Sequence, residues 1–599
     1  MHYSIKPMNP AAHIFIVTCD IAEPELLGQV FSLPAWIPGS YMIREFSKNI
    51  LTIAASCNGD AVALMKVDKA RWRAAPCVGT LRLQYEVYAW DLSVRSAHLD
   101  ASHGYFNGSS VFVRIHGRED ESVTVDILPP DSLNEWWRVA TAMSCAGAKL
   151  YGFGRYSAEN YDELIDHPVE MGCFTLATFD VLGVPHDIAI TGIHRADTVR
   201  LCADLKCICE TQVRFFGELP KMDRYLFLVM AVGDGYGGLE HRASTSLICS
   251  RNDLPAPGVK QITDNYRAFL GLCSHEYFHT WNVKQIKPAA FLPYDLECEA
   301  YTRQLWAFEG ITSYYDDLLM LRSGVITNDE YLNLIAQIMT RVWSGSGRFK
   351  QSVAESSFDA WTKFYRQDEN APNAIVSYYT KGSLIALALD LTIRQQTSNA
   401  RSLDDLMLRL WHEYGQPAIG VPEGEIERMA AEIAGVSLDD FFRRYLYGTE
   451  DLPLAQLLAM VGVDFILRPA CSSDDKGGRS NGKNSDVAKP VLGAKVATDP
   501  AGVKLVTLFS DGAAEVSGLA AGDVVIALDQ LKVSSASLEA MLGQYCVGDR
   551  ITVSAFRRDE LMAVDLYLQA APADRVELIM KSKVDAKTES FRDAWLTGI

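Results

Sequence analysis

His275-Glu276-Tyr277-Phe278-His279 is the stretch that decides how the rest of this chain is read. It lies late in an apolar pattern of helical period covering 259–283. Four residues advance a helix by about 400°, so the two histidines share one face. Two imidazoles one turn apart can bind a single zinc ion, and Glu276 between them is placed as general base for a water that the metal activates. The chain carries its own control in His412-Glu413-Tyr414, where Gln416 stands in the place of a second histidine and no metal function is expected.

A catalytic zinc needs a third protein ligand and an open fourth position. Downstream, Glu297, Glu299 and Glu309 supply carboxylates, and Cys298 supplies a thiolate alternative. Pro288 and Pro293 break helical continuity in this interval and predict a loop between two helices. Gly310, next to Glu309, would let a second helix approach the first closely.

Outward from the motif, length and composition set limits. A chain of 599 residues predicts about three to five domains. Hydrophobic residues at 48% and charged residues at 22% give it ample globular cores. The balance of 56 basic against 75 acidic residues, a net charge of −19, lacks the footprint of a binder of nucleic acid or anionic membranes. The first residues, Met1-His2-Tyr3-Ser4-Ile5-Lys6-Pro7, show no signal-peptide pattern, and Tyr225–Val232 is far shorter than the roughly 18 apolar residues of a membrane helix. The 13 cysteines follow no zinc-ribbon or disulfide spacing. A cytoplasmic protein with reduced thiols is the expectation.

Short alternating runs separated by turn clusters predict a β-rich N-terminal domain over 1–165. Strands continue to about 255, and long helical patterns then run over 259–283, 300–321, 328–342, 379–396 and 403–412. Together 166–470 read as one catalytic domain. Residues 471–489, rich in Ser, Asp, Gly, Asn and Lys, read as a flexible linker or loop. A compact domain over 490–575 and a tail over 576–599 complete a multidomain α+β chain.

Two further segments carry chemistry. Gly237-Gly238-Leu239-Glu240-His241 follows a strand, its glycines permitting a peptide backbone to approach and its glutamate offering a partner for a cationic amino terminus. Tyr379-Thr380-Lys381-Gly382 opens a long helix with a phenol able to donate toward developing charge, and Tyr378 beside it is the alternative donor.

In this order, together with Trp306-Ala307-Phe308-Glu309-Gly310-Ile311-Thr312, these segments resemble the glycyl aminopeptidase family, of the aminopeptidase N-like zinc peptidases. Pro34-Ala35-Trp36-Ile37-Pro38-Gly39-Ser40-Tyr41 and His167-Pro168-Val169-Glu170-Met171-Gly172 also resemble family signatures, without a chemical role that the residues themselves reveal. The resemblance implies a thermolysin-like, mostly helical catalytic domain and a C-terminal PDZ domain. It implies one zinc ion on His275, His279 and Glu309, with Glu309 displaced by an 11-residue insertion from the position, here Cys298, that carries the ligand in many aminopeptidases. Glu276 is then the base, Tyr379 the oxyanion donor, and Glu240 with Gly237 and Gly238 the holder of a peptide's free N-terminus. Small first residues, glycine or alanine, are the implied preference. In the PDZ resemblance Leu492-Gly493 reads as the carboxylate-binding loop for a peptide C-terminus, ahead of the helix and strand of 513–526. The rival readings are a zinc endopeptidase, and a peptide-binding scaffold whose protease domain is vestigial.

Overall fold

The computed structural model describes residues 1–131, 136–480 and 488–598. The chain divides into two compact units: Met1–Ala300 with Ser323–Val325 and Leu410–Val421, and Tyr301–Arg322, Ile326–Arg409 and Pro422–Ile599.

The first unit begins with an eight-stranded sheet in which His2–Asn9 pairs parallel with Val123–Ile127 and antiparallel with Ile14–Ile21. Period-two patterning makes it: Phe15, Val17, Cys19 and Ile21 face inward, as do Leu81, Leu83, Tyr85 and Val87 on the neighbouring strand. The β-rich region does not stop at residue 165. Val169–Gly172 pairs antiparallel with His103–Phe106, so the expected boundary moves past residue 172 because a ladder crosses it.

A five-stranded sheet follows, in the order Phe174–Val181, Val184–Thr191, Tyr225–Val232, Ser244–Ser250 and Tyr236–His241. Tyr225–Val232 lies parallel between two neighbours, which accounts for its unbroken apolar run. Tyr236–His241 is an edge strand. A 19-residue helix, Thr198–Phe216, interrupts what the sequence suggests is continuous β structure, capped by Asp197 and ended by Gly217 at φ +86°. Gln212 on this helix donates to the carbonyl and hydroxyl of Ser274 on the helix Asp264–Phe278. That second helix is shorter than the pattern over 259–283 predicts, because Thr263 caps its start and accepts from the Tyr266 amide.

In the second unit the helix expected over 300–321 starts only at Trp306, as a π-turn, Trp306–Ile311, leading into Thr312–Arg322. Asn328–Trp343, closed by a Thr327/Glu330 capping box, Thr380–Gln396 and Leu403–Leu410 follow the predicted periods closely. Ala494–Asp499, Gly502–Leu508, Val524–Leu528, Arg550–Arg557 and Glu560–Tyr567 form a sheet with its own core of Val503, Leu505, Val525, Leu528, Ile551 and Val553.

Two expectations need correction here. The described part of the linker, 471–480, is held down: Arg468 pairs with Asp475 and donates to the Gly478 carbonyl, while the Gly478 amide donates to the Val576 carbonyl. Positions 481–487 of that linker lie outside the described residues. Nor is 576–599 a loose tail, since Arg575–Met580 pairs antiparallel with Val463–Arg468, and the helix Ala586–Thr597 buries Trp595 completely. Among the described residues no helix is long and apolar enough to cross a membrane.

Candidate active site

In the first unit the helix Asp264–Phe278 carries His275 and Glu276 in its last turn, with His279 at its C-cap. The two imidazoles stand with ring centroids 4.6 Å apart and planes at 89°. His279 Nδ1 lies 2.7 Å from the Asn282 carbonyl, which fixes the proton on Nδ1 and makes Nε2 the nitrogen able to ligate a metal. Tyr277 points the other way, its hydroxyl 2.8 Å from His186 Nε2 beneath the five-stranded sheet. The helix is thus anchored on one face and presents its histidines on the other.

Glu240, near the end of the edge strand, is 4% exposed, and its Oε1 has no hydrogen-bond partner among the described residues. Ligating atoms of Glu240, Glu276 and His279 lie within 4.8 Å of one another. Gly238 brings the strand to this spot: a Cβ built there would come 2.0 Å from Glu276 Oε1. Gly237 has no such constraint, its nearest neighbour being Arg95 Nη1 at 3.7 Å. Arg95 donates to the Gly238 carbonyl at 3.1 Å.

The sequence left two segments without chemistry, and both are built around carboxylates. Gly39, at φ +88°, lies against the Glu240 carboxylate so closely that a Cβ would meet both oxygens at 2.5 Å. Glu170 is buried between His103 Nδ1, at 3.2 Å, and the Thr191 hydroxyl, at 3.0 Å. Sequence reasoning also missed Asp166, which takes Lys284 at 2.8 Å, His241 at 3.1 Å and Arg242 at 3.1 Å. Opposite charges outweigh its burial and hold its carboxyl well below the usual range. No local pattern announces either arrangement, because every partner comes from a distant strand or loop.

In the second unit Glu309 is 1% exposed within the π-turn Trp306–Ile311. Gly310 packs on the backbone of Gly382 and the Tyr378 carbonyl, where a Cβ would approach within 2.8 Å, so the π-turn sits directly on the helix Thr380–Gln396. Tyr378 is wholly buried, and burial pushes its phenol well above the ordinary value. Tyr379 is half-buried, its hydroxyl 3.4 Å from that of Tyr365, a phenol the sequence did not single out. Of the rival third ligands, Glu297 is engaged by Arg71 and lies 3.3 Å from His116, and Cys298 is exposed and donates to Asp295.

Residues 2–173 match the model of the peptidase M61 N-terminal domain, and residues 268–385 match that of M61 glycyl aminopeptidase. The first match ends one residue beyond the Val169–Gly172 strand that closes the β-rich region. An aminopeptidase N family protein from Idiomarina loihiensis, known from its crystal structure, is 42% identical over 100% of both chains, with a TM-score of 0.94. An M1 zinc metallopeptidase from Deinococcus radiodurans is 15% identical over 76% of this chain and 95% of its own, with a TM-score of 0.48. The sequence matches none of the curated proteins. The protein is a metallopeptidase, and zinc is the cofactor of its class. It belongs to the M61 glycyl aminopeptidase family.

Proposed function

We propose that the protein is an aminopeptidase that removes one small residue, glycine or alanine, from peptides with a free N-terminus. The observation that carries this reading is Glu240: a buried carboxylate oxygen without a partner among the described residues, beside Glu276 and His279, is a receptor for an α-ammonium group. An ammonium held there places the first peptide bond, and no later one, next to the base. The preference for small first residues rests on the family resemblance.

In this reading His275, His279 and Glu309 hold zinc, and two imidazoles with one carboxylate are a donor set that suits this ion and leaves a position open. When bound, the ion supplies a Lewis acid that makes water nucleophilic near neutral pH and polarises the scissile carbonyl. Glu276 accepts the proton of the attacking water on its carboxylate and hands a proton to the leaving amine. Tyr379 donates its O–H to the carbonyl oxygen as negative charge develops, its half exposure favouring it over the buried Tyr378. Gly238, with Gly237 beside it, presents no side chain where the peptide would approach the edge strand.

The test uses glycyl and alanyl amide substrates with free and acetylated amino groups. Hydrolysis of the free amines, loss on acetylation, and loss in Glu276→Gln of about 10²–10⁴-fold with zinc still bound are expected. Equal cleavage of acetylated peptides would make the enzyme an endopeptidase, and absence of zinc from protein prepared without chelator would favour the scaffold reading.

A second reading concerns the C-terminal module, which we take as a PDZ domain. Ala494–Asp499 is an edge strand of its sheet, with the helix Ser535–Leu542 packed beside it, and Gly493 at φ +72° turns the chain into that strand. A peptide C-terminus would add along this edge, its carboxylate held by backbone N–H groups at Leu492 and Gly493, the Leu492 side chain being buried. Fluorescence anisotropy with carboxylate and amidated forms of one peptide tests it, binding of the carboxylate form alone being expected. A cytoplasmic location is part of the same proposal, supported by 13 free cysteines.

A further inference from the structure

Away from the His275–His279 centre, the hairpin of Ala97–Leu99 and His103–Phe106 collects a second group of ligating side chains. We propose that His98, Asp100 and His103 form a second divalent-cation site, selective for zinc among common ions, that braces the hairpin next to the loop from which Arg95 reaches the Gly238 carbonyl.

The geometry is that of a donor set already converged. One ligating atom from each residue lies within 4.8 Å of the other two. His98 Nε2 and Asp100 Oδ2 are 3.3 Å apart. That is long for a charge-assisted hydrogen bond, which falls at about 2.7–2.9 Å. It matches the roughly 3.3–3.5 Å between two ligands held at 2.0–2.1 Å from one tetrahedral ion. The His98 and His103 ring centroids are 5.0 Å apart, with their planes at 24°.

The supporting shell is present as well. His103 Nδ1 is bound to Glu170 Oε1 at 3.2 Å, a carboxylate that is itself fixed by Thr191. This fixes the tautomer that leaves Nε2 as a ligand, the arrangement carboxylates give to metal-bound histidines. Asp100 Oδ1 is taken up by the turn, accepting from the Ser102 amide and hydroxyl at 2.6 Å and the His103 amide at 3.0 Å, which turns Oδ2 toward the imidazoles. His98 is 5% exposed, so its ring is held in place by the residues around it. Asp100 keeps a side-chain exposure of 31%, which gives an ion and its waters a way in. Two imidazoles and a single carboxylate favour zinc over magnesium or calcium, which demand more oxygen ligands.

The site bears on the strand that presents Glu240. Trp90 stacks on His98 at 4.8 Å, the Asp91 amide donates to the Ala97 carbonyl, and the intervening loop holds Arg95, whose guanidinium meets the Gly238 carbonyl. An ion gripping His98, Asp100 and His103 fixes the base of this loop.

Elemental analysis of full-length protein dialysed against micromolar zinc, with zinc-edge anomalous scattering from its crystals, tests the proposal. Two ions per chain and an anomalous peak among His98, Asp100 and His103 are expected. One ion should remain in His98→Phe, which keeps the stacked ring, and in Asp100→Asn, and also in His275→Ala, which removes the other. Because His275→Ala reports on the peptidase centre alone, the two sites are judged separately. A single ion in the wild type with no anomalous peak at the hairpin, or a peak there only at millimolar zinc, overturns the second site and leaves the proposed activity standing. If His98→Phe does not fold, the wild-type anomalous map decides.

Discussion

Gly238 has no room for a side chain, because a Cβ there would come 2.0 Å from Glu276 Oε1, while one at Gly237 would make only an ordinary 3.7 Å contact with Arg95. Displacing a general base by about 1 Å costs on the order of 10²-fold in rate. Gly238→Ala should therefore lose activity by about that factor with zinc retained, and Gly237→Ala should stay within a few-fold of wild type, in steady-state assays beside metal analysis. Gly39→Ala should act differently, raising KM for free-amine substrates more than it lowers kcat, since its methyl would meet both oxygens of Glu240. A positive φ of 88° adds backbone strain at that position. The grouping of His275, Glu276 and His279 at one helix end was legible because helical periodicity is local. Gly39 and Gly238 read only as glycines, since what they touch is set by the tertiary fold.

At the level of elements, Asp166 ties the end of the Tyr236–His241 strand, through His241 and Arg242, to Lys284 beyond the helix of His275. Asp166→Asn leaves Lys284, 4% exposed at its side chain, with an uncompensated buried charge, while Arg242 keeps its pair to Asp162, a change that costs about 3–5 kcal/mol. The sign with pH follows from the depressed carboxyl. Its stabilisation is complete above the unfolded value of about 3.9 and is lost as pH falls toward the lower folded value. Thermal melts should show the full deficit of Asp166→Asn at pH 7, and the gap to wild type should narrow below about pH 4. Elements themselves were legible where caps and periods agree, as in Asn328–Trp343 with its capping box. They were not legible where packing overrides pattern. Within the π-turn Trp306–Ile311, Gly310 lies on Gly382, a contact no periodicity encodes.

Over the whole chain, the last residues support a segment that lies far earlier in sequence. Trp595 is fully buried and donates from Nε1 to the Tyr314 hydroxyl at 3.0 Å, which donates in turn to Asp390 at 2.6 Å. The Trp595 carbonyl accepts from Arg322, at the other end of the same helix. Tyr314 and Arg322 belong to Thr312–Arg322, the direct continuation of the π-turn that carries Glu309. A composition-based reading takes 576–599 for a tail because the module over 490–570 separates it from every partner it has. Truncating a buried tryptophan costs about 3–5 kcal/mol, so Trp595→Ala should lower the melting temperature by several degrees. If Glu309 is a zinc ligand, the same variant should also lose zinc to a chelator faster than wild type, because the helix behind that ligand is loosened. A control cavity in the C-terminal module, Val553→Ala, smaller than the one at Trp595, lies in a separate core and should leave the chelation rate unchanged. Equal zinc loss from both variants would mean that general destabilisation, and not the support of Thr312–Arg322, governs the metal. Faster loss from Trp595→Ala alone would make the last helix a buttress of the zinc site.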